Sequence, residues 1–172
     1  NGIIFVGDHD SGKTSLLNVL QTSLNVICQS NHLIREVEIH RFYPNAMTLA
    51  DLFGYAFDDP HKLKEGQFEL ELSRLKNDDK QHWIVFDGII RTDWIENVKI
   101  AMAEQNCFTL PSGTRLSIPN EKKFIFETTS IADVSPSTVV ICAVISFDSN
   151  SIDPLELIEA KIQSEIIPLF EE

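Results

Sequence analysis

The sequence has few cysteines, few basic residues and no long apolar run, and each shortage excludes a class of protein. Its three cysteines, Cys28, Cys107 and Cys142, are widely spaced and form neither a C-x-x-C pair nor a zinc-finger spacing. We therefore expect reduced, intracellular packing thiols rather than a disulfide framework. No apolar run approaches the roughly 18 residues of a membrane span, so we expect no membrane partner.

Basic residues are outnumbered, because the chain has 14 Lys and Arg against 26 Asp and Glu, for a net charge of −12. Nucleic acids bind clustered Lys and Arg, which displace counterions. The sequence has no such cluster, so we expect no nucleic-acid partner.

The 172 residues, 43% of them hydrophobic, suffice for one domain with a full core. Because the first predicted strand begins the chain without a methionine, we expect a piece of a larger protein.

A phosphate-binding loop is the strongest signal that is present. Gly7-Asp8-His9-Asp10-Ser11-Gly12-Lys13-Thr14 fits the pattern G-x-x-x-x-G-K-[ST], directly after an apolar run and before a helical pattern that opens at Ser15. The pattern predicts backbone N–H groups around the phosphates of ATP or ADP, Lys13 on the β/γ oxygens, and the Thr14 hydroxyl on Mg²⁺. The N-terminus of the following helix faces the anion. The predicted nucleotide-binding residues here are Gly7, Asp8, His9, Asp10, Ser11, Gly12, Lys13, Thr14 and Ser15.

Two acidic residues complicate this loop, because Asp8 and Asp10 stand within a few residues of a polyphosphate. If both point into solvent, screening over about 10 Å keeps the repulsion small. If either points inward, affinity falls or Mg²⁺ becomes essential. We interpret His9 as an exposed residue of the loop rather than a catalytic base.

Strand-like and helix-like stretches alternate along the chain, which predicts a parallel α/β sheet covered on both faces. The predicted strands are 3–6, 36–40 at an edge, 82–87, 123–127 and 139–147. The predicted helices are 14–24, 48–53, 67–76 and 93–105, and a β-hairpin joins 107–110 to 114–118. We predict a polar loop at 57–66. A large subdomain spans 1–150, and 151–172 carries a C-terminal helix that opens at Asp153.

Asp87 ends the apolar run of residues 82–87, where a P-loop NTPase carries an acid that holds Mg²⁺ through water. Thr14 and Asp87 are thus the predicted magnesium residues. ATPases of the AAA+ type often place a catalytic glutamate next, and this chain has Gly88. We therefore predict nucleotide binding with little or no hydrolysis, and no catalytic residue is assigned. His32, His40, His61 and His82 lack a metal-ligand spacing and are interpreted as surface or strand-end residues.

Several segments together resemble the motor of dynein heavy chains, most closely its second AAA+ module. The most specific are Trp83-Ile84-Val85-Phe86-Asp87-Gly88 and Trp94-Ile95-Glu96, and residues 45–54, 110–116 and 126–128 add to the likeness. The similarity runs from the phosphate loop to about Phe147.

This resemblance implies an AAA+ large α/β subdomain, one of six in an ATP-driven ring that moves along microtubules. In that ring the second module resembles a regulatory nucleotide site, Thr128 or Thr129 takes the place of a γ-phosphate sensor, and the hairpin is an insertion. The implied partners are neighbouring AAA+ modules of the same heavy chain, other dynein chains and the microtubule. The implied location is the cytoplasm and cytoskeleton, including the ciliary axoneme, and a helical lid would follow residue 172.

The chain departs from the family where a Ser-Arg pair is expected, since Val140 and Ile141 stand there. In the family that arginine resembles an arginine finger that acts on the nucleotide of the preceding module, and such a finger contributes about 10³–10⁵ to the rate of hydrolysis.

Two other hypotheses for the function stay open. Asp51-Leu52-Phe53-Gly54 matches the D-x-x-G of a small GTPase-like switch, although N-K-x-D is absent. A nucleotide-free structural module would also suit Asp8, Asp10 and the missing arginine.

Overall fold

The computed structural model describes residues 2–31, 33–56, 63–75, 80–103, 107–109, 115–117 and 122–148. The strands are β1 Gly2–Val6, β2 Val37–Phe42, β3 Tyr55–Ala56, β4 Leu63–Lys64, β5 Gln81–Asp87, β6 Cys107–Thr109, β7 Arg115–Ser117, β8 Lys122–Thr128 and β9 Cys142–Ser146. The α-helices are α1 Lys13–Ser30, α2 Leu49–Phe53, α3 Gln67–Arg74, α4 Thr92–Ala103 and α5 Pro136–Val140, and a 3-10 turn covers Pro44–Ala46.

The main sheet has five parallel strands in the order β2-β5-β8-β1-β9. The three inner strands are strongly apolar, as strands covered on both faces must be. Because all five strands run the same way, their carboxyl ends meet at one edge. That edge brings Val6, Asp87 and Thr128, the last residues of β1, β5 and β8, close to the phosphate loop.

Helices cover both faces of this sheet. On one face α2, α3 and α4 pack over a cluster centred on Phe86, whose ring lies 5.3 Å from Trp94, 5.4 Å from Phe42 and 5.6 Å from Phe126, measured between centroids. On the other face α1 packs through Leu17 on a smaller cluster formed by Phe5, Val37, Trp83, Val85 and Ile125. Burial of these apolar surfaces, at about 25 cal/mol per Å², anchors the strand edge that carries the site.

The structure confirms the parallel α/β sheet flanked by helices, with β2 at an edge as the alternating pattern of 36–40 predicts. The hairpin is also confirmed, since β6 and β7 pair antiparallel from Cys107 opposite Ser117 to Thr109 opposite Arg115. The α2 helix has the predicted ends, with Thr48 as its N-cap and Gly54 as its C-cap.

Three local predictions were wrong or too short. α1 runs to Ser30 rather than residue 24. Residues 139 and 140 end α5 instead of opening a strand, because Ser135 and Pro136 start a helix there. Leu63–Lys64, predicted as loop, pairs antiparallel with Tyr55–Ala56. The helix predicted from Asp153, the division at residue 150 and the hairpin tip lie outside the described residues. Among the described helices, none is both long and apolar enough to cross a membrane.

Candidate functional site

The loop from Gly7 to Gly12 joins the end of β1 to the start of α1. Asp10 and Gly12 both have left-handed backbone, with φ of 61° and 87°. Alternation of this kind turns successive N–H groups toward one concave side, as in anion-binding nests. Gly12 is the N-cap of α1, and no side chain caps this end. The first-turn N–H groups, which have no intrahelical acceptor, are thus presented at the loop.

Lys13 lies across this loop. Its Nζ donates to the carbonyls of Gly7 at 2.7 Å and Asp8 at 2.6 Å, and to the Ser11 hydroxyl at 3.2 Å. An ammonium group has three protons to donate, and these three acceptors use them all. The side chain therefore holds a positive charge over the turn that the motif assigns to phosphate.

Thr14, the next residue, is hydrogen-bonded to a carboxylate that the motif does not contain. Its hydroxyl donates to Oε2 of Glu127, which lies on β8. Glu127 is 1% exposed, and its Oε1 accepts from Nη1 of Arg41 on β2 at 2.9 Å. Since the Thr14 proton points to Glu127, the oxygen lone pairs are what the hydroxyl can offer to a cation.

Asp87 stands beside Glu127, because the two are register partners on β5 and β8. Burial, together with the nearby Glu127 carboxylate, raises the pKa of Asp87, while Arg41, Lys13 and His9 act in the opposite direction. Asp87 Oδ2 lies 4.0 Å from Nη1 of Arg41. This edge therefore gathers two carboxylates and a hydroxyl, which are the oxygen donors that Mg²⁺ prefers. The donor set fits a magnesium ion beside a bound phosphate.

Gly88, where an ATPase would carry a catalytic glutamate, has a backbone that excludes most side chains. Its φ is 146°, and a Cβ there would meet Oδ1 of Asn45 at 2.2 Å. Its N–H donates to the carbonyl of Glu127 at 2.9 Å, which ties the end of β5 to β8. A glycine is the residue that this turn tolerates.

The predicted loop residues gather at this edge of the sheet, with Asp8, His9 and Asp10 exposed and Ser11 buried. Asp8 and Asp10 thus face solvent, the arrangement with the smaller repulsion. Ser15 lies in the first turn of α1. Thr128 lies on the opposite face of β8 from Glu127, and its hydroxyl donates to the carbonyl of Ser130 at 3.0 Å. The role of Thr128 as a γ-phosphate sensor stays a prediction.

Sequence reasoning missed Arg41 and Glu127 as members of the site. Neither lies in a motif tied to phosphate, and they are separated from each other by 86 positions. The available signal was an acid at the end of the apolar run 124–126. Asp51, the acid of the D-x-x-G match, is bonded instead to Thr48 and, at 2.6 Å, to Lys64.

A strand, a phosphate loop and a helix on a parallel sheet covered by helices on both faces define an α/β P-loop fold, here of the AAA+ type. No family model matches the chain. Curated relatives do match it, and by them the chain belongs to the dynein heavy chain family.

Three of these relatives illustrate the similarity. The chain is 30% identical to dynein axonemal heavy chain 2 of Homo sapiens over 151 residues, which is 84% of this chain. It is 30% identical to the cytoplasmic dynein heavy chain of Dictyostelium discoideum over 152 residues, 86% of this chain. It is 27% identical to cytoplasmic dynein 2 heavy chain 1 of Caenorhabditis elegans over 158 residues, 91% of this chain. The match spans 3%, 3% and 4% of these relatives, so the chain corresponds to a small part of each.

Proposed function

We propose that this chain is a nucleotide-binding AAA+ module of a dynein heavy chain, which holds ATP or ADP with Mg²⁺ and hydrolyses it slowly or not at all. The observation that carries the proposal is the uncapped N-terminus of α1, with Lys13 across the loop and Thr14 oriented by Glu127. These groups provide N–H donors, an ammonium group and a hydroxyl where a polyphosphate needs them.

The phosphates would lie in the concave side of residues 7–14, with Lys13 exchanging its loop carbonyls for phosphate oxygens. Those carbonyls are neutral acceptors, and a hydrogen bond to an anionic oxygen is roughly twice as strong. The exchange therefore favours the bound nucleotide. Ser15 and the other first-turn residues of α1 would add backbone N–H donors.

Thr14 and Asp87 are the residues that would hold Mg²⁺, Asp87 through water. The ion would neutralise negative charge between the phosphates and the acidic edge of the sheet. Glu127 acts in this account as a positioning residue, because it fixes the direction of the Thr14 hydroxyl. The guanidinium of Arg41 offsets the cost of burying the Glu127 carboxylate.

Slow hydrolysis follows from the residues around Asp87. Gly88 offers no carboxylate to orient a water, and Glu127 is 1% exposed, with its oxygens directed at Thr14 and Arg41. A general base must be within reach of the attacking water with a lone pair to accept its proton. Among the described residues at this edge, Asp87 is assigned to Mg²⁺ and Glu127 is buried, so neither carboxylate is assigned to this role.

The finer assignment rests on the resemblance to the second dynein module, a regulatory nucleotide site. We propose that neighbouring AAA+ modules of the same chain are its immediate partners, and that other dynein chains and the microtubule are partners of the whole motor. An apolar surface of α1 supports a neighbour, since Leu16, Val19 and Leu20 are 47%, 63% and 44% exposed. The relatives are named as axonemal and cytoplasmic dyneins, so we propose a cytoskeletal or axonemal location.

A second candidate, a structural module without nucleotide, is favoured by one observation. Lys13 is fully satisfied by its own loop, and displacing it costs those hydrogen bonds. Thermal unfolding with and without Mg-ATP distinguishes this candidate from the first.

Thermal unfolding with and without Mg-ATP tests the proposal. A ligand at 100 times its Kd stabilises the folded state by about 2.7 kcal/mol, so the melting temperature of the chain should rise by several degrees. Lys13→Ala should abolish the rise, and Lys99→Ala, a change on the far α4 surface, should retain it. Equal melting curves with and without Mg-ATP in the unaltered chain would establish the structural alternative instead. A larger rise with GTP would favour a GTPase-like switch.

A further inference from the structure

A second polar cluster lies at the opposite end of the sheet from the phosphate loop. Glu38 and His40 are two residues apart on β2, so they project from the same face, and His82 on β5 is the register partner of Glu38. One ligand atom from each of the three lies within 4.8 Å of the other two. His82 and Asp87 are five residues apart on β5, which puts the two sites about 17 Å apart along the strand.

The two imidazoles contact each other directly. Nε2 of His40 lies 3.2 Å from Nδ1 of His82. In tetrahedral zinc sites with Zn–N distances of about 2.0–2.1 Å, two coordinating nitrogens are separated by about 3.4 Å. The pair therefore needs to open by only a few tenths of an ångström for both nitrogens to bind one ion.

Glu71 on α3 orients the first of these ligands. Its Oε1 lies 3.1 Å from Nδ1 of His40, on the side of the ring away from His82. A carboxylate in that position accepts a hydrogen bond from Nδ1–H and directs the lone pair of Nε2 toward His82, as the outer partners of metal-bound histidines do. The contact between Glu71 and His40 is a second observation, separate from the spacing of the three ligand atoms, and it also favours a metal ion at this cluster.

Burial favours a metal ion over a chance contact of histidines. His82 is 2% exposed, and the His40 side chain is 9% exposed, so the imidazole pair lies away from bulk water. Glu38 is 46% exposed and closes the cluster on the solvent side, where its Oε2 also lies 3.5 Å from Nζ of Lys80. Lys80 has a second carboxylate, Glu36, at 3.6 Å, so it keeps a partner when Glu38 turns to a cation.

We propose that Glu38, His40 and His82 form a binding site for a divalent transition-metal ion of the zinc type. Two imidazole nitrogens and one carboxylate oxygen are a ligand set that Zn²⁺ uses, with a fourth position left for water. The ion would fasten the edge strand β2 to β5 and, through Glu71, to α3. It would act as a structural link and stands apart from nucleotide binding.

Zinc titration of the nucleotide-free 172-residue chain tests this site. We expect Zn²⁺ to bind, to raise the melting temperature, and to be replaced by Co²⁺ with the visible absorption of a four-coordinate site. His40→Gln and Glu38→Gln should each remove this binding. Glu71→Gln should weaken it by about 10–100-fold, because only the orientation of His40 is lost. Glu96→Gln, the same exchange as Glu38→Gln in a carboxylate on α4 outside the cluster, should leave the affinity unchanged.

X-ray absorption at the zinc edge of the unaltered chain provides a measurement that depends on no variant. The expected spectrum has two imidazole ligands and only nitrogen and oxygen around the ion. Absence of Zn²⁺ binding, sulfur in the spectrum, or equal zinc affinity in folded His40→Gln and unaltered chains would each overturn the proposal. Since Mg-ATP is absent from every arm, the result is separate from the test of the phosphate loop.

Discussion

The contact between Arg41 and Glu127 is the most consequential one at the scale of single residues. The Glu127 side chain is 1% exposed, whereas the Arg41 side chain is 20% exposed. Removing one partner therefore costs a different amount of stability from removing the other. Removing the arginine leaves a buried carboxylate without a counter-charge. Removing the carboxylate leaves a cation that can still reach water.

We therefore predict that Arg41→Met destabilises the chain by about 3–5 kcal/mol, the usual result of breaking a buried pair, and that Glu127→Gln costs less. The double variant should be more stable than the sum of the single effects predicts, by about 0.5–3 kcal/mol. Urea unfolding of all four proteins measures this coupling. The control is the pair Lys99 and Glu96, in which the carboxylate is 48% exposed instead of buried, with a coupling of at most about 1 kcal/mol. Additive effects for Arg41 and Glu127 would contradict the account.

The raised pKa of Asp87 predicts how stability changes with pH. In the folded chain burial and Glu127 hold the proton on Asp87 to a higher pH than in the unfolded chain, whose aspartates titrate at about 3.9. The folded state thus binds more protons in that window, and the contribution of Asp87 to the free energy of unfolding falls as pH rises through it. Asp87→Asn should stabilise the nucleotide-free chain at pH 7, and the gain should shrink toward pH 4.

Asp93 provides a control of opposite sign, because its hydrogen bond to Arg91 lowers its pKa. Its contribution is present above the unfolded pKa and is lost as pH falls through the folded one. Asp93→Asn should therefore destabilise the chain at pH 7, and this loss should shrink as pH falls. Urea unfolding from pH 3 to 7.5 compares the two variants, because the Asp93 contribution is lost only below the unfolded aspartate pKa of about 3.9. A pH-independent effect of Asp87→Asn would contradict the assigned cause.

The position of the loop in the candidate site could be predicted from the sequence, because residues 7–14 are local in the chain and directly follow β1; their binding of phosphate stays a prediction. The Arg41 and Glu127 contact does not follow, since it depends on β2, β5 and β8 lying side by side. The same holds for His40 and His82, which lack metal spacing along the chain but meet across two parallel strands. Spacing rules detect ligands on one element and miss those that the sheet order brings together.

At the scale of elements, the turn after β5 determines which side chain can follow Asp87 at the carboxyl edge of the sheet. Gly88 has a φ of 146°, and Asn45, in the 3-10 turn Pro44–Ala46, lies where a Cβ would be. Two elements that are distant in the chain thus exclude a side chain at the position after Asp87.

Gly88→Ala should destabilise the chain by about 1–3 kcal/mol, because a non-glycine residue is strained at this φ. Adding Asn45→Ala should recover only part of the loss, since it removes the clash and leaves the backbone strain. Chemical unfolding measures both, with Asn45→Ala alone as the control. Gly88→Glu should not create ATP turnover, and steady phosphate release by that variant would contradict this view of the turn.

Prediction of the elements themselves succeeded where local signals agree and failed where they compete. Thr48 and Gly54 mark both ends of α2, and the ends are as predicted. Residues 139–141 are β-branched and favour a strand, but the start signal of Ser135 and Pro136 continues the helix to Val140. The pairing of β3 with β4 joins two segments of two residues each, and two residues are too few to show the alternation that predicts a strand.

At the scale of the whole molecule, the net charge of −12 and the acidic edge oppose a free polyphosphate. Asp87 and Glu127 face the site, and Asp8 and Asp10 flank it. We therefore predict that nucleotide binding requires Mg²⁺ to neutralise charge between the protein and the nucleotide.

The central claim is that residues 7–15 bind a magnesium nucleotide, and isothermal titration calorimetry of the chain with ATP tests it most directly. The account predicts one Mg-ATP per chain, an affinity lower by about tenfold or more when Mg²⁺ is chelated, equal to at least about 1.4 kcal/mol, and no binding by Lys13→Ala. Absence of heat with Mg-ATP in the unaltered chain, or undiminished binding by Lys13→Ala, would contradict it.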